Sequence, residues 1–194
     1  FTCLDRDGTV YDTDKFMWLQ HRQVWMFSKL YNVIEKRSDW LEVARCGAEF
    51  LRKHGMDGEG NWHFSLDRKG APLTQPHSIF SDCFAAMGYA QYFVASGEDW
   101  AHDLTLKTYQ NILKRQDNPK GKYNKTYPGT RELKNFAIPM ILSNLALELE
   151  EVLGQDRAVE DALKCANLVM DTFVDKELGI VFEHMAPDGS HVDC

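Results

Sequence analysis

"KFMWLQHRQVWMF", residues 15–27, is mostly apolar or aromatic, yet Gln20, His21, Arg22 and Gln23 run through its middle. The apolar positions suit a helix buried around most of its circumference. An unpartnered guanidinium inside such a helix costs several kcal/mol. Arg22 therefore meets either a carboxylate on a neighbouring helix, Asp82 or Glu148, or a space that water and ligands can enter. The rest of the chain bears on which.

Outward from this stretch, glycine turns recur in "LDRDGTVYD" (Gly8), "LDRKGAPLT" (Gly70), "TYPGTREL" (Gly129) and "APDGSHVD" (Gly189), at intervals of about 60 residues. Three of the four follow an aromatic-containing, strand-like run ("FTCL", "WHFSL", "VFEHM"), which is hairpin chemistry. Two helical segments lie between successive turns. The first of each pair, Phe16 to Val33, Ile79 to Ala95 and Phe136 to Leu149, is apolar on most sides and reads as an inner helix. The second, Asp39 to His54, Asp99 to Arg115 and Asp156 to Phe173, carries one apolar stripe and reads as an outer helix. In the first outer helix Leu41, Ala44, Ala48 and Leu51 face one way, with Glu42, Arg45, Glu49 and Arg52 outward. Ser38 and Asp99 are expected to cap helix starts, and Gly55 and Gly154 to mark ends.

Alternating buried and amphipathic helices at a fixed period predict an all-α toroid of the (α/α)6 kind. Residues 1–194 would form one domain of three helical-hairpin repeats with small β-hairpin loops at one end. A closed ring needs about six pairs, roughly 360 residues at this period, so the chain is expected to hold about half. An apolar flank is then expected on the first inner helix and another on the last. In a toroid the inner helices surround a central funnel, so Arg22 has a wet space to face.

Composition excludes several classes. With 44% hydrophobic and 26% charged residues, the chain is an ordinary globular protein. A formal charge of −7 and no Lys/Arg-rich run argue against nucleic-acid partners. Cys3, Cys46, Cys83, Cys165 and Cys194 are odd in number, widely spaced and without a CxxC pair, as expected of reduced thiols in a cytoplasmic protein. The longest apolar stretch, Ile79 to Ala95, is interrupted by Ser81, Asp82 and Gln91, so no membrane partner is expected. The chain opens on Phe1 and stops at "HVDC" after a hairpin-like stretch, from which we expect a longer parent protein.

"DTDKFMWLQHRQVWMFSKLYN", "FSDCFAAMGYAQY", "NPKGKYNKTYPGTRELKNFAIPMIL" and "APDGS" together resemble the N-acylglucosamine 2-epimerase family, which includes renin-binding protein and is related to the cellobiose 2-epimerases. The resemblance covers essentially all 194 residues, and the run from Lys15 is its most specific part. It implies an (α/α)6 barrel, no required cofactor or metal, and interconversion of N-acetyl-D-glucosamine and N-acetyl-D-mannosamine by proton exchange at C2. ATP acts as an allosteric effector in some relatives, and a homodimer is one expected assembly.

The resemblance gives Arg22 the role of a catalytic cation beside the reacting carbon of an amino-sugar substrate. Removing the C2 proton of the open-chain sugar leaves negative charge on the C1 oxygen, and a fixed cation there stabilises the enediolate more than the neutral substrate. Arginine stays charged and presents a forked set of donors. The family's proton-transferring histidines lie in an H-x-I-E motif and near its C-terminus. Neither motif is present in the sequence, so both are expected beyond Cys194 and the piece alone is expected to be inactive.

Four further residues are candidate substrate contacts. Trp18 lies one turn before Arg22 on the same face, and Phe80 matches an aromatic position on the second inner helix. Asn135 aligns with an asparagine that faces the sugar in the cellobiose enzymes, although a helix-capping role before Pro139 is the alternative. Those enzymes carry histidine at the Pro139 position, a departure that favours the N-acyl-monosaccharide branch. His184, the fourth candidate, flanks the last hairpin together with His191, in loops of a kind that overhang the funnel. His21 should point roughly 100° away from Arg22, toward a neighbouring helix. His54, His63, His77 and His102 read as solvated or capping residues. No HxH, HExxH or carboxylate cluster argues for a metal. Two rival functions use the same scaffold: an inverting glycoside hydrolase, with Asp82 and Glu183 as its carboxylates, and a non-enzymatic protein binder.

Overall fold

Gly8, Gly70, Gly129 and Gly189 all adopt positive φ, at 87°, 96°, 78° and 86°, in the left-handed region that residues with a Cβ disfavour. The computed structural model describes residues 1–127, 129–130 and 132–192, and at three of these glycines it shows one repeated turn. The Asp5 N–H donates to Thr9 O at 2.8 Å and the Gly8 N–H to Asp5 O at 3.0 Å. Asp67, Gly70 and Ala71 repeat the pattern, as do Ala186, Gly189 and Ser190. Asp57, Gly60 and Asn61 form a further copy, with Gly60 at φ 84°. The sequence reading passed over that copy, although "DGEGN" has the same Asp-to-Gly spacing as "DRKGA".

The chain runs β1 (Cys3–Leu4), β2 (Val10–Asp12), β3 (Lys15–Phe16), α1 (Met17–Val33), α2 (Ser38–His54), β4 (Ser65–Leu66), β5 (Pro72–Thr74), α3 (Phe80–Ser96) and α4 (Asp99–Arg115). It continues with β6 (Lys134–Asn135), α5 (Ala137–Glu148), α6 (Glu150–Leu153), α7 (Gln155–Thr172), β7 (Val174–Asp175), β8 (Ile180–Val181) and β9 (His184–Met185). Every predicted helical segment is present within a residue at either end. The caps differ: Arg37 and Glu98 occupy the cap positions, while Ser38 and Asp99 are the first helical residues. The Asp99 carboxylate there opposes the positive end of the helix dipole.

Short strands close the first and the last helical pair. β3, just before α1, pairs with β4, just after α2, through Lys15↔Leu66 and Phe16↔Ser65, and β4 pairs with β5. In the same way β6, before α5, pairs with β9, after α7. The remaining pairs are β1 with β2 and β7 with β8.

The contacts group the residues into two compact units, Phe1–Tyr123 and the residues from Asn124 onward. In the first, α3 packs against α1, α2 and α4, and α1 packs against α2. Met17, Val24, Ala44, Ala48, Leu51, Trp62, Leu66, Ala85, Tyr89, Tyr92 and Ala101 form its core. Small residues bring the helices close: a Cβ on Gly88 would sit 2.9 Å from the His21 carbonyl oxygen, and one on Gly47 2.9 Å from the Val24 side chain. In the second unit α5 packs against α7.

The expectation of inner helices buried on all sides holds only for α3, where every residue from Ser81 to Tyr92 is buried. α1 buries Met17, His21, Val24 and Ser28 but exposes Leu19 and Met26, and α5 exposes Met140 and Leu147. Exposed apolar side chains are not confined to these two helices: Val94 near the end of α3 and Val159, Leu163, Leu168 and Met170 on α7 are exposed as well. Among the described residues no helix is long and apolar enough to cross a membrane.

Candidate functional site

Trp18 and Arg22 lie one turn apart on α1 and point the same way. Arg22 is exposed. Its Cζ lies 5.0 Å from the centroid of the Trp18 ring and 4.2 Å from that of Phe84 on α3. The two rings stand 6.4 Å apart, tilted by 47°, and the guanidinium occupies the notch between them. Among the described residues no carboxylate pairs with Arg22. The dry alternative, an ion pair inside the helix layer, is not the one adopted.

Asp82, one of the two acids considered for Arg22, is fully buried and held by Arg115, with Nη1 to Oδ1 at 3.0 Å. Burial pushes its carboxyl up to about 7, against the Arg115 guanidinium and the Trp62 backbone N–H, which favour the charged form. Among the described residues its Oδ2 has no hydrogen-bond partner.

His21 does turn inward, as its angle from Arg22 predicted. It is fully buried, edge-on to Trp62 at 4.6 Å and Tyr89 at 5.7 Å. Its Nδ1 lies 2.8 Å from the Met17 carbonyl oxygen, and among the described residues Nε2 has no partner. Burial pushes the imidazole down to about 3, with the bond to Met17 opposing. At neutral pH this is an uncharged core residue, sealed from any substrate beside Arg22.

In the second unit, the β6–β9 register sets Asn135 opposite His184, and Asn135 Nδ2 lies 3.1 Å from His184 Nε2. Asn135 Oδ1 also accepts the Ala137 N–H at 2.7 Å, but the cap position of α5 is Phe136, so Asn135 stands one residue before the place its capping alternative required. Pro139 is buried in the first turn of α5. His191 pairs with Asp175 and packs on Phe182, His77 packs on Phe64, and His102 packs on Phe93.

The predicted residues thus fall into two groups, each inside one unit: Trp18 with Arg22, and Asn135 with His184. Phe80 is half-buried one turn before Phe84, and it is Phe84 that contacts Arg22. Residue type and periodicity pointed to α3, but only the rotation of α3 against α1 distinguishes the two phenylalanines. Among the described residues no group of three His, Cys, Asp or Glu side chains is arranged to hold a metal ion. Cys3, Cys46, Cys83 and Cys165 are free thiols, and Cys194 lies outside the described residues.

The N-acylglucosamine 2-epimerase (GlcNAc 2-epimerase) family model matches residues 1–193. The chain is 32% identical over 201 residues to the N-acylglucosamine 2-epimerase of Bos taurus, a match covering 99% of this chain and 47% of the bovine protein. It is 29% identical over 99 residues to the cellobiose 2-epimerase of Dictyoglomus turgidum, covering 50% of this chain and 25% of that protein. Among solved structures, the cellobiose 2-epimerase of Bacillus thermoamylovorans matches with a TM-score of 0.81 at 16% identity, covering 99% of this chain and 54% of that one. The chain spans about half the length of the curated relatives it matches, and over that half it has the paired-helix fold of the (α/α)6 proteins.

Proposed function

The chain belongs to the N-acylglucosamine 2-epimerase family, and from that premise we propose that the whole protein interconverts N-acetyl-D-glucosamine and N-acetyl-D-mannosamine. A base takes the C2 proton of the open-chain sugar, and the electron pair moves to the C1 oxygen, leaving an enediolate-like anion. Return of a proton to the opposite face of C2 gives the epimer.

The observation that carries this reading is an exposed arginine without a carboxylate partner, held against two aromatic rings. Such a cation keeps its charge for an incoming oxyanion, and it stabilises charge that develops only as the C2 proton leaves. The rings offer apolar surface of the kind that sugar C–H faces pack on. We place the proton-transferring histidines in the part of the full-length protein beyond these 194 residues, because the H-x-I-E motif implied by the resemblance is absent from them and they span about half of the curated relatives' length. Asn135 and His184 are further candidates for holding the sugar. The reading calls for no metal or cofactor, gives ATP at most an effector's role, and puts the protein in the cytoplasm on the ground of its free thiols. A homodimer would be compatible with it.

The hydrolase reading is weaker because Asp82 is buried and tied to Arg115. The deciding experiment incubates the full-length protein with either N-acetylhexosamine in deuterated water and follows C2 by NMR. Deuterium at C2 with appearance of the epimer supports the proposal. Absence of exchange with both sugars removes it.

A further inference from the structure

We propose that Phe84 is a positioning residue for Arg22, keeping the guanidinium oriented and its charge uncompensated; the catalytic consequence drawn from this rests on the epimerase reading. Three observations lead there. Arg22 is a long, exposed side chain, and such side chains ordinarily sample many rotamers. Here the guanidinium lies 4.2 Å from the Phe84 centroid and 5.0 Å from that of Trp18, so two rings restrict it from different directions. Phe84 itself cannot move freely, since it sits in the continuously buried run of α3, the helix most closely packed in its unit.

The chemistry of the partner matters as much as its place. A carboxylate at this position would fix Arg22 equally well, but it would occupy N–H donors and neutralise the charge. An aromatic ring attracts the cation through its quadrupole and takes none of the five N–H donors. Arg22 is thus preorganised without being spent, which is what stabilising a transient oxyanion requires. Trp18 shares the task from the same helix as Arg22. Phe84 reports the α1–α3 packing, so any shift of α3 against α1 would be felt directly at the guanidinium.

The test uses the full-length protein with three replacements at one position. Phe84→Leu keeps the bulk and removes the ring, Phe84→Tyr keeps the ring, and pentafluorophenylalanine at position 84 keeps the shape while reversing the ring's quadrupole. The first readout is the Arg22 Nε–H resonance, assigned by its loss in Arg22→Lys. In the parent and Phe84→Tyr it should be shifted upfield by the rings, and in Phe84→Leu it should return toward the value of a free arginine. An unshifted parent signal overturns the positioning claim whatever the enzyme does. The second readout is deuterium exchange at C2. Phe84→Leu and the pentafluoro variant should lose at least tenfold in kcat with KM within about threefold, and Phe84→Tyr should restore most of it. If Phe84→Leu does not fold, the pentafluoro variant, which preserves packing, carries the comparison. A shifted resonance with no exchange in the parent leaves the positioning intact and removes the epimerase reading. A shifted resonance with both variants at parental kcat removes the catalytic consequence.

Discussion

Arg115 Nη1 lies 3.0 Å from Oδ1 of Asp82, joining the last turn of α4 to the first turn of α3 across 33 residues of sequence. The acid is fully buried and the arginine partly exposed. Burial outweighs the pairing, so the folded protein holds a proton on Asp82 up to about pH 7, whereas an unfolded aspartate releases it near pH 4.

The stability contributed by that proton is complete below about pH 4 and is lost as pH rises toward 7. Asp82→Asn has no such proton to lose. We expect the melting difference between Asp82→Asn and parent to move in favour of the variant from pH 4 to 7 and to level off above. Denaturant melts at unit intervals of pH test this, and a constant difference would refute it.

His21 has the opposite linkage. Its folded value is pushed down to about 3 against about 6.5 in the unfolded chain, so its contribution is complete above pH 6.5 and is lost as pH falls. The loss amounts to about 1.4 kcal/mol per pH unit for one proton. His21→Phe keeps the ring contacts with Trp62 and Tyr89, gives up the bond to Met17 at a cost of about 1 kcal/mol, and should lose less stability on acidification than the parent. In the parent, Asp82 and His21 pull against one another between about pH 4 and 6.5. A flat parental profile in that window therefore does not mean that neither group is perturbed, and the two variants separate them.

For Arg22, exposure without a carboxylate partner predicts that Arg22→Ala in the full-length protein leaves stability within about 0.5–1 kcal/mol of the parent. The C2 exchange rate should fall on the order of 10² or more. Arg22→Lys should recover only part, because an ammonium keeps the charge without the planar fork. A folded Arg22→Ala protein exchanging at the parental rate would end the assignment.

Gly8 and Gly70 occupy equivalent turns with different surroundings. A Cβ at Gly8 would meet nothing within 4 Å, whereas one at Gly70 would lie 2.4 Å from the His54 ring. Gly8→Ala should cost only the left-handed backbone strain, about 1–2 kcal/mol. Gly70→Ala should cost clearly more, since φ is 96° and the imidazole must also move. Chemical denaturation of the two variants gives the comparison, and equal costs would show that His54 yields freely.

The helices were legible because their signals are long: α4 runs from Asp99 to Arg115, as its stripe predicted. The two-residue strands β3 and β6 carry no period at all and surfaced only through their pairing. α6, four residues between α5 and α7, was missed for the same reason. At the candidate site, Trp18 and Arg22 could be paired from spacing within one helix. The role of Phe84 depends on how α3 is rotated against α1, a tertiary fact that no local pattern encodes. Asp82 was readable as a polar residue in an apolar run, but its partner was not, because Arg115 reaches it from a different helix.

The β3–β4 and β6–β9 pairings bring the beginning and end of a repeat together, so the α1–α2 pair and the α5–α7 pair each come with a clasp. A segment whose two ends already meet can be copied or spliced as a cassette without a new junction having to be invented. The hairpin tips at Gly8 and Gly189 lie outside those clasps, whereas the tip at Gly70 rests on His54 at the end of α2. Lengthening either of the first two adds chain without pulling on a helix, so descendants of such a scaffold are free to vary those loops while inheriting the helical frame unchanged.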